Sequence, residues 1–149
     1  GIKTFLLPAT INAIIAQRLV RRICPRCRYS YTVPPEEIAG LFPRAELFFD
    51  TKEPVLLYKG KGCESCGGIG YSGRIGIYEL LLITHDIQQL VIKRSSSADI
   101  EQKARADGME SLFEDGFQKM KSGITTLEEL LRVASPPEIP ARHDAPPAS

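Results

Sequence analysis

The chain has no apolar run approaching the roughly eighteen residues of a membrane span. Its first stretch, GIKTFLLPATINAIIAQRL, is interrupted by Lys3, Pro8, Asn12 and Gln17. That stretch also lacks the basic leader, unbroken apolar core and small-residue cleavage site of a secretory signal, so the sequence is expected to stay in the cytoplasm. There is no GxxxxGK[ST] loop to cradle a triphosphate. Of two histidines, His85 falls at an expected helix start and His143 in the tail. Neither lies in an HExxH or beside a nucleophile, and both read as solvated surface residues. Gly70, Gly73 and Gly76 in GYSGRIG lack the strand-then-helix context of a dinucleotide loop and read as a turn feeding a strand. Glu114 and Asp115 are neighbours and leave a helix on different sides, so they form no carboxylate pair. No catalytic residue emerges.

Cysteine is also scarce, but its placement is informative. All four occur as two matched CxxC pairs, Cys24 with Cys27 in CPRC and Cys63 with Cys66 in CESC. Disulfides are rare in a reducing compartment, so the pairs lean towards a metal. Two CxxC turns, each presenting two thiolates, complete the tetrahedral shell of a structural zinc. Four sulfur ligands leave no open position for catalysis, and a thioredoxin-like couple would leave one pair unexplained. Gly60, Gly62, Gly67, Gly68 and Gly70 surround the second pair, where the backbone must turn tightly. The 35 residues between Cys27 and Cys63 exceed the usual zinc-finger interval and imply an inserted subdomain.

Charge is unevenly distributed. Residues 1–74 carry eleven Lys and Arg against six Asp and Glu, whereas residues 75–149 carry eight against twelve. Arg18, Arg21, Arg22, Arg26 and Arg28 crowd the first cysteine pair. They read either as a site for an anionic partner or as the solvated face of a helix and its exit loop.

Ile11, Ile14, Ile15, Leu19, Val20 and Ile23 recur at helical spacing and predict a helix from about Thr10 to Ile23. A short helix is expected at Pro35, where Glu36 and Glu37 complement the positive end of its dipole. PVLLYKG and GRIGIYELLLI read as strands with the second cysteine pair between them. Beyond Ile83, Thr84 and Ser97 are candidate N-caps, with Gly108 as a stop. Ser111 with Glu114 and Thr125 with Glu128 read as capping boxes, the first helix ending at Gly123. Five prolines after Ser135 and no periodicity predict a disordered tail.

AQRLVRRICPRC, then GCESCGGIGYSGRIGIYELL, then GITTLEELLRVA, taken in order from Gly1 to about Ala134, resemble the C-terminal portion of the type II secretion and type IV pilus assembly ATPases. The resemblance implies a fragment of a longer hexameric motor, with the phosphate-binding loop, acidic box and histidine box upstream; the missing initiator methionine fits this. It makes Cys24, Cys27, Cys63 and Cys66 zinc ligands. It places Gln17, Arg18, Arg21 and Arg22 at the end of the ATPase domain. Arg74 would approach nucleotide or a neighbouring subunit, the competing reading being a local ion pair with Glu79 or Glu64. No role transfers to the segment YTVPPEEIAGLFPRAELFFDTKEP.

The expectation is therefore an α+β chain: a tetracysteine zinc subdomain with short strands, followed by a small C-terminal helical bundle. The expected divisions are 1–23, the end of a RecA-like ATPase domain and its last helix; 24–72, the zinc subdomain; 73–83, a strand returning to the ATPase core; 84–134, a helical subdomain; and 135–149, the tail. ATP and Mg2+ would belong to the full-length parent, and the fragment alone is predicted to be inactive. Expected partners are the upstream ATPase domain, neighbouring subunits of a homohexamer and inner-membrane secretion or pilus assembly proteins, which would hold the motor at the inner membrane. No specific nucleic acid is expected. The competing readings are a zinc-ribbon nucleic-acid module using the arginine cluster, with little but Tyr29 and Tyr31 to stack bases, and a stand-alone zinc scaffold for protein partners.

Overall fold

The computed structural model describes residues 10–50 and 52–137. Residues 138–149 of the expected 135–149 tail, His143 among them, lie outside the described residues, as does the stretch 1–9. Two antiparallel ladders are nested in the chain. Strand β1 (Ala13–Ile23) pairs with β4 (Tyr71–Leu82), and β2 (Arg28–Val33) pairs with β3 (Val55–Gly60). The inner ladder is thus enclosed in sequence by the outer one, and each passage between them is a CxxC turn.

The helix expected over Thr10–Ile23 is strand β1. Its ladder runs from Ala13 opposite Leu82 to Ile23 opposite Tyr71, with an irregularity between Arg21 and Ile23. The apolar spacing mimics a helix, but the supposed stripe is not buried as one: Val20 and Ile23 are inside, whereas Ile14, Ile15 and Leu19 are exposed. Isoleucine and valine favour a pleated surface, and a partner strand some sixty residues away supplies the hydrogen bonds. Local periodicity cannot report such a partner.

Between β2 and β3 the inserted segment forms helix α1 (Pro35–Ile38) and a 3₁₀ turn at Ala45–Leu47. Among the described residues four helices follow β4: α2 (His85–Ile92), α3 (Ser97–Ala106), α4 (Leu112–Lys121) and α5 (Leu127–Val133). Their N-caps are clear, though two lie one residue from their expected positions. Ser96, not Ser97, caps α3, because Asp99 stands three residues on and returns the bond to the Ser96 N–H; Ile100 could not do this for Ser97. Thr126, not Thr125, caps α5 by accepting from the Glu129 N–H. The Ser111–Glu114 box closes as expected, and Glu114 is buried against Arg105. Asp115 instead accepts from the Tyr78 N–H and pairs with Lys119.

One core joins these parts. Val20 and Ile77 of the outer ladder and Val33 and Leu57 of the inner one meet Phe113, Phe117 and Met120 of α4 and Leu127 and Leu130 of α5. The inserted segment, to which no role transferred from the resemblance, completes it. Phe42, Phe48 and Phe49 pack on Phe113 and Phe117 with ring centroids 4.9–5.5 Å apart, edge-on or tilted. Among the described residues no helix is long and apolar enough to cross a membrane.

Candidate metal centre

The two CxxC turns meet where the ladders change over. Cys24 follows β1 directly and Cys27 precedes β2, while Cys63 caps and Cys66 ends a 3₁₀ turn, Glu64–Cys66, between β3 and β4. The Cys27 N–H donates to the Cys24 carbonyl (3.3 Å) and the Cys66 N–H to the Cys63 carbonyl (3.1 Å), so each turn is closed by its own backbone. The two turns are tied together by Cys24 N–H to Gly70 O (2.9 Å) and Lys61 N–H to Cys27 O (3.0 Å).

Glycine permits this approach. A Cβ on Gly60 would lie 2.1 Å from the Gly70 carbonyl oxygen. Gly62, at φ 88°, faces Gly68 with a Cβ position 2.3 Å from its carbonyl oxygen. Neither side could retreat without moving backbone that carries a cysteine.

All four Sγ atoms lie within 4.8 Å of one another. The Cys24–Cys63 and Cys27–Cys66 separations are 3.9 Å and Cys63–Cys66 is 3.7 Å. A disulfide requires about 2.05 Å, and the cysteines are free thiols. A tetrahedron with metal–sulfur bonds of about 2.3 Å has edges of about 3.8 Å, so the set could hold a metal ion. Cys24 is buried and the other three are half-buried. The Cys66 sulfur accepts from the Cys63 N–H (3.2 Å) and the Gly70 N–H (3.3 Å), and these donors pull its thiol down to about 6. Burial, with neighbouring sulfurs adding to it, pushes the Cys27 thiol up to about 11. A cation at the centre would offset the mutual repulsion of four thiolates.

The arginines separate. Arg21 donates to the buried Glu129 carboxylate from both its side chain (2.7 Å) and its backbone N–H (2.8 Å), and its guanidinium lies 4.1 Å from the Tyr71 ring centroid. Burial opposes ionisation of Glu129, but hydrogen bonds from Arg21 and Arg132 outweigh it and bring its carboxyl down to about 2. Arg28 donates to the Gly123 carbonyl (3.2 Å) over the Tyr58 ring. Arg18, Arg22 and Arg26 are exposed. They lie on a strand and its turn, not on a helix face.

Arg74 is exposed on β4, directly opposite Arg21 in the ladder. Glu79 lies five residues along, on the other face of the strand, and accepts from the Leu112 N–H. Among the described residues no ion pair joins Arg74 to Glu79 or Glu64. His85 is exposed beside Asp86.

An α+β domain closed by two CxxC turns on a tetrathiol cluster is the class that fold and site define. The chain belongs to the Type II/IV secretion system protein family, whose match covers residues 1–132. It is 41% identical over 132 residues to the type IV pilus assembly ATPase PilB of Thermus thermophilus, covering 88% of this chain and 14% of that protein. It is 38% identical over 135 residues to the type II secretion system ATPase E of Vibrio cholerae (89% and 25%). It is 40% identical over 133 residues to the type II secretion system protein HxcR of Pseudomonas aeruginosa (89% and 24%). The chain therefore spans a quarter or less of the length of these relatives.

Proposed function

We propose that this chain is the zinc-bearing C-terminal part of a hexameric motor ATPase that powers assembly of a type IV pilus or a type II secretion pseudopilus. The observation that carries the reading is the tetrathiol cluster, its four sulfurs within 4.8 Å of one another and three of the separations at 3.7–3.9 Å, inside a match to secretion and pilus ATPases. Zinc held by four thiolates supplies a structural cross-link and no reactive position. Cys24, Cys27, Cys63 and Cys66 would hold it, and the Cys63 and Gly70 N–H groups orient the Cys66 sulfur.

In this reading β1 and β4 belong to the ATPase core and the four later helices form a C-terminal subdomain. Support comes from the outer ladder, where Ile15, Leu19, Tyr78, Leu80 and Leu82 are exposed on one face. A face of that character suits burial against the rest of an ATPase domain. ATP and Mg2+ would be bound by the parent protein's own phosphate loop. Arg74, with an exposed guanidinium, would reach nucleotide or a neighbouring subunit. The motor would act in the cytoplasm against inner-membrane assembly proteins.

Two measurements test this. Native mass spectrometry should find one zinc per chain, lost on Cys63→Ser, and chelation should unfold at least residues 24–66; a fully folded, metal-free chain would overturn the zinc reading. In the full-length parent Arg74→Ala should lower ATP turnover strongly with zinc content and assembly unchanged, since an arginine on developing phosphoryl charge is worth about 10³–10⁵ in rate. Normal turnover would remove Arg74 from the nucleotide site.

A further inference from the structure

The segment 123–129, GITTLEE, makes contacts that neither its sequence nor the metal reading explains. It touches all four strand ends that lead to the cysteines. The Ile23 N–H, one residue before Cys24, donates to the Ile124 carbonyl (2.9 Å). Arg28, one residue after Cys27, donates to the Gly123 carbonyl (3.2 Å). The Tyr71 hydroxyl meets the Thr126 hydroxyl at 3.0 Å, and Tyr71 follows Gly70, the residue that accepts from Cys24 and donates to Cys66. On β3, Lys59 pairs with Glu128 (2.8 Å), and the Tyr58 ring covers Gly123 so closely that a Cβ there would stand 2.9 Å from its Cγ. The Thr125 hydroxyl donates to the Arg21 carbonyl (2.8 Å), and Glu129 takes the Arg21 N–H and guanidinium.

Each contact could be ordinary packing, but their convergence is not what a helix needs in order to dock. Thr125 and Thr126 are both buried, and neither hydroxyl is spent on solvent. The bonds run to the last residue of β1, the first of β2, the penultimate of β3 and the first of β4. One short segment therefore fixes the spacing of four chain ends whose neighbours hold the ligands. Spreading any of those ends would move a sulfur.

We infer that the 123–129 segment is a positioning clamp for the metal centre, so that metal retention and the docking of α5 are coupled in both directions. The inference rests on the zinc reading above. If the clamp raises the affinity for zinc, bound zinc must strengthen the clamp by the same factor. The C-terminal helix would then dock fully only when the centre is loaded. The residues concerned position ligands and do not touch the ion.

The test uses the zinc-loaded 149-residue chain with an excess of a chromogenic chelator. Thr125→Val removes the hydroxyl from Arg21 without changing side-chain shape, and Tyr71→Phe removes the bond to Thr126 while leaving the ring beneath Arg21. The double variant should release zinc roughly tenfold faster or more, in line with the loss typical of residues that orient metal ligands. Thr125→Ser, which keeps the hydroxyl, should release zinc at the wild-type rate. Ile87→Ala, which disturbs the α2–α3 pair, should lower thermal stability without speeding release.

The reverse direction is read by hydrogen exchange, where the amides of residues 124–130 should lose protection on zinc removal before those of α3. Wild-type release rates in the double variant, or release accelerated as much by Ile87→Ala, would overturn the clamp while leaving the zinc site intact. A wild-type chain that retains no zinc would sink the metal reading and the clamp with it.

Discussion

Replacing Gly60 with alanine adds one methyl group, and the structure makes that methyl costly. Its carbon would sit 2.1 Å from the Gly70 carbonyl oxygen and 2.7 Å from the Gly70 carbonyl carbon and Cα, where ordinary contact needs well over 3 Å. All three are backbone atoms, so no side chain can swing away. The loop must retreat by about 1 Å, and Gly70 is bonded on both sides: its carbonyl accepts from Cys24 and its N–H donates to Cys66. Losing both bonds costs about 2–3 kcal/mol, and the overpacking adds about 1–3 kcal/mol. The total is a large part of a domain's net stability of roughly 5–15 kcal/mol. Gly67→Ala provides the contrast. Gly67 has φ 61° but open space around its Cβ position, so only the left-handed backbone resists, at about 1 kcal/mol. Urea unfolding of the zinc-loaded proteins, with zinc content and thiol reactivity measured in parallel, should therefore rank Gly60→Ala far below Gly67→Ala and show zinc loss only in the former. Equal stability of the two variants would refute the claim that backbone crowding at Gly60 and Gly70 sets the geometry of the centre.

Glu129 predicts an acid-dependent term. Its folded carboxyl sits at about 2 against an ordinary value near 4.5, so the stability it contributes is full above pH 4.5 and lost as pH falls towards 2. Wild type should exceed Glu129→Gln by on the order of 3 kcal/mol at pH 7, with the gap closing across that window in denaturant titrations; a gap independent of pH would contradict the ion-pair account. Phe113→Ala should cost about 3–5 kcal/mol, because the ring is fully buried against Phe42, Phe48 and Phe117, and a loss below 1 kcal/mol would show that the inserted segment does not share the core.

The cysteine spacing alone announced a four-sulfur site, since CxxC turns are local devices and the chemistry of thiols limits what two of them can do. Glycine density around the second pair was readable for the same reason. The strands PVLLYKG and GRIGIYELLLI were legible from their apolar, β-branched and aromatic content between glycines and proline, and the stops at Gly108 and Gly123 and the Ser111–Glu114 box from neighbours within four residues. The expected Thr10–Ile23 helix shows the boundary. Ile14, Ile15, Leu19 and Val20 satisfy a helical period, and only β4 arriving from residues 71–82 makes the same residues a strand. Tertiary structure also decided which of two adjacent hydroxyls caps a helix: Thr126 does, because Arg21 takes Thr125 and Glu129. It gave the inserted phenylalanines a place in the core and divided the arginine cluster into Arg21 and Arg28, engaged by the fold, and Arg18, Arg22 and Arg26, exposed at the surface. These are contacts between residues up to about a hundred positions apart. A sequence lists the groups able to make such contacts, but which of them meet depends on ladder register and helix docking that act on the whole chain at once.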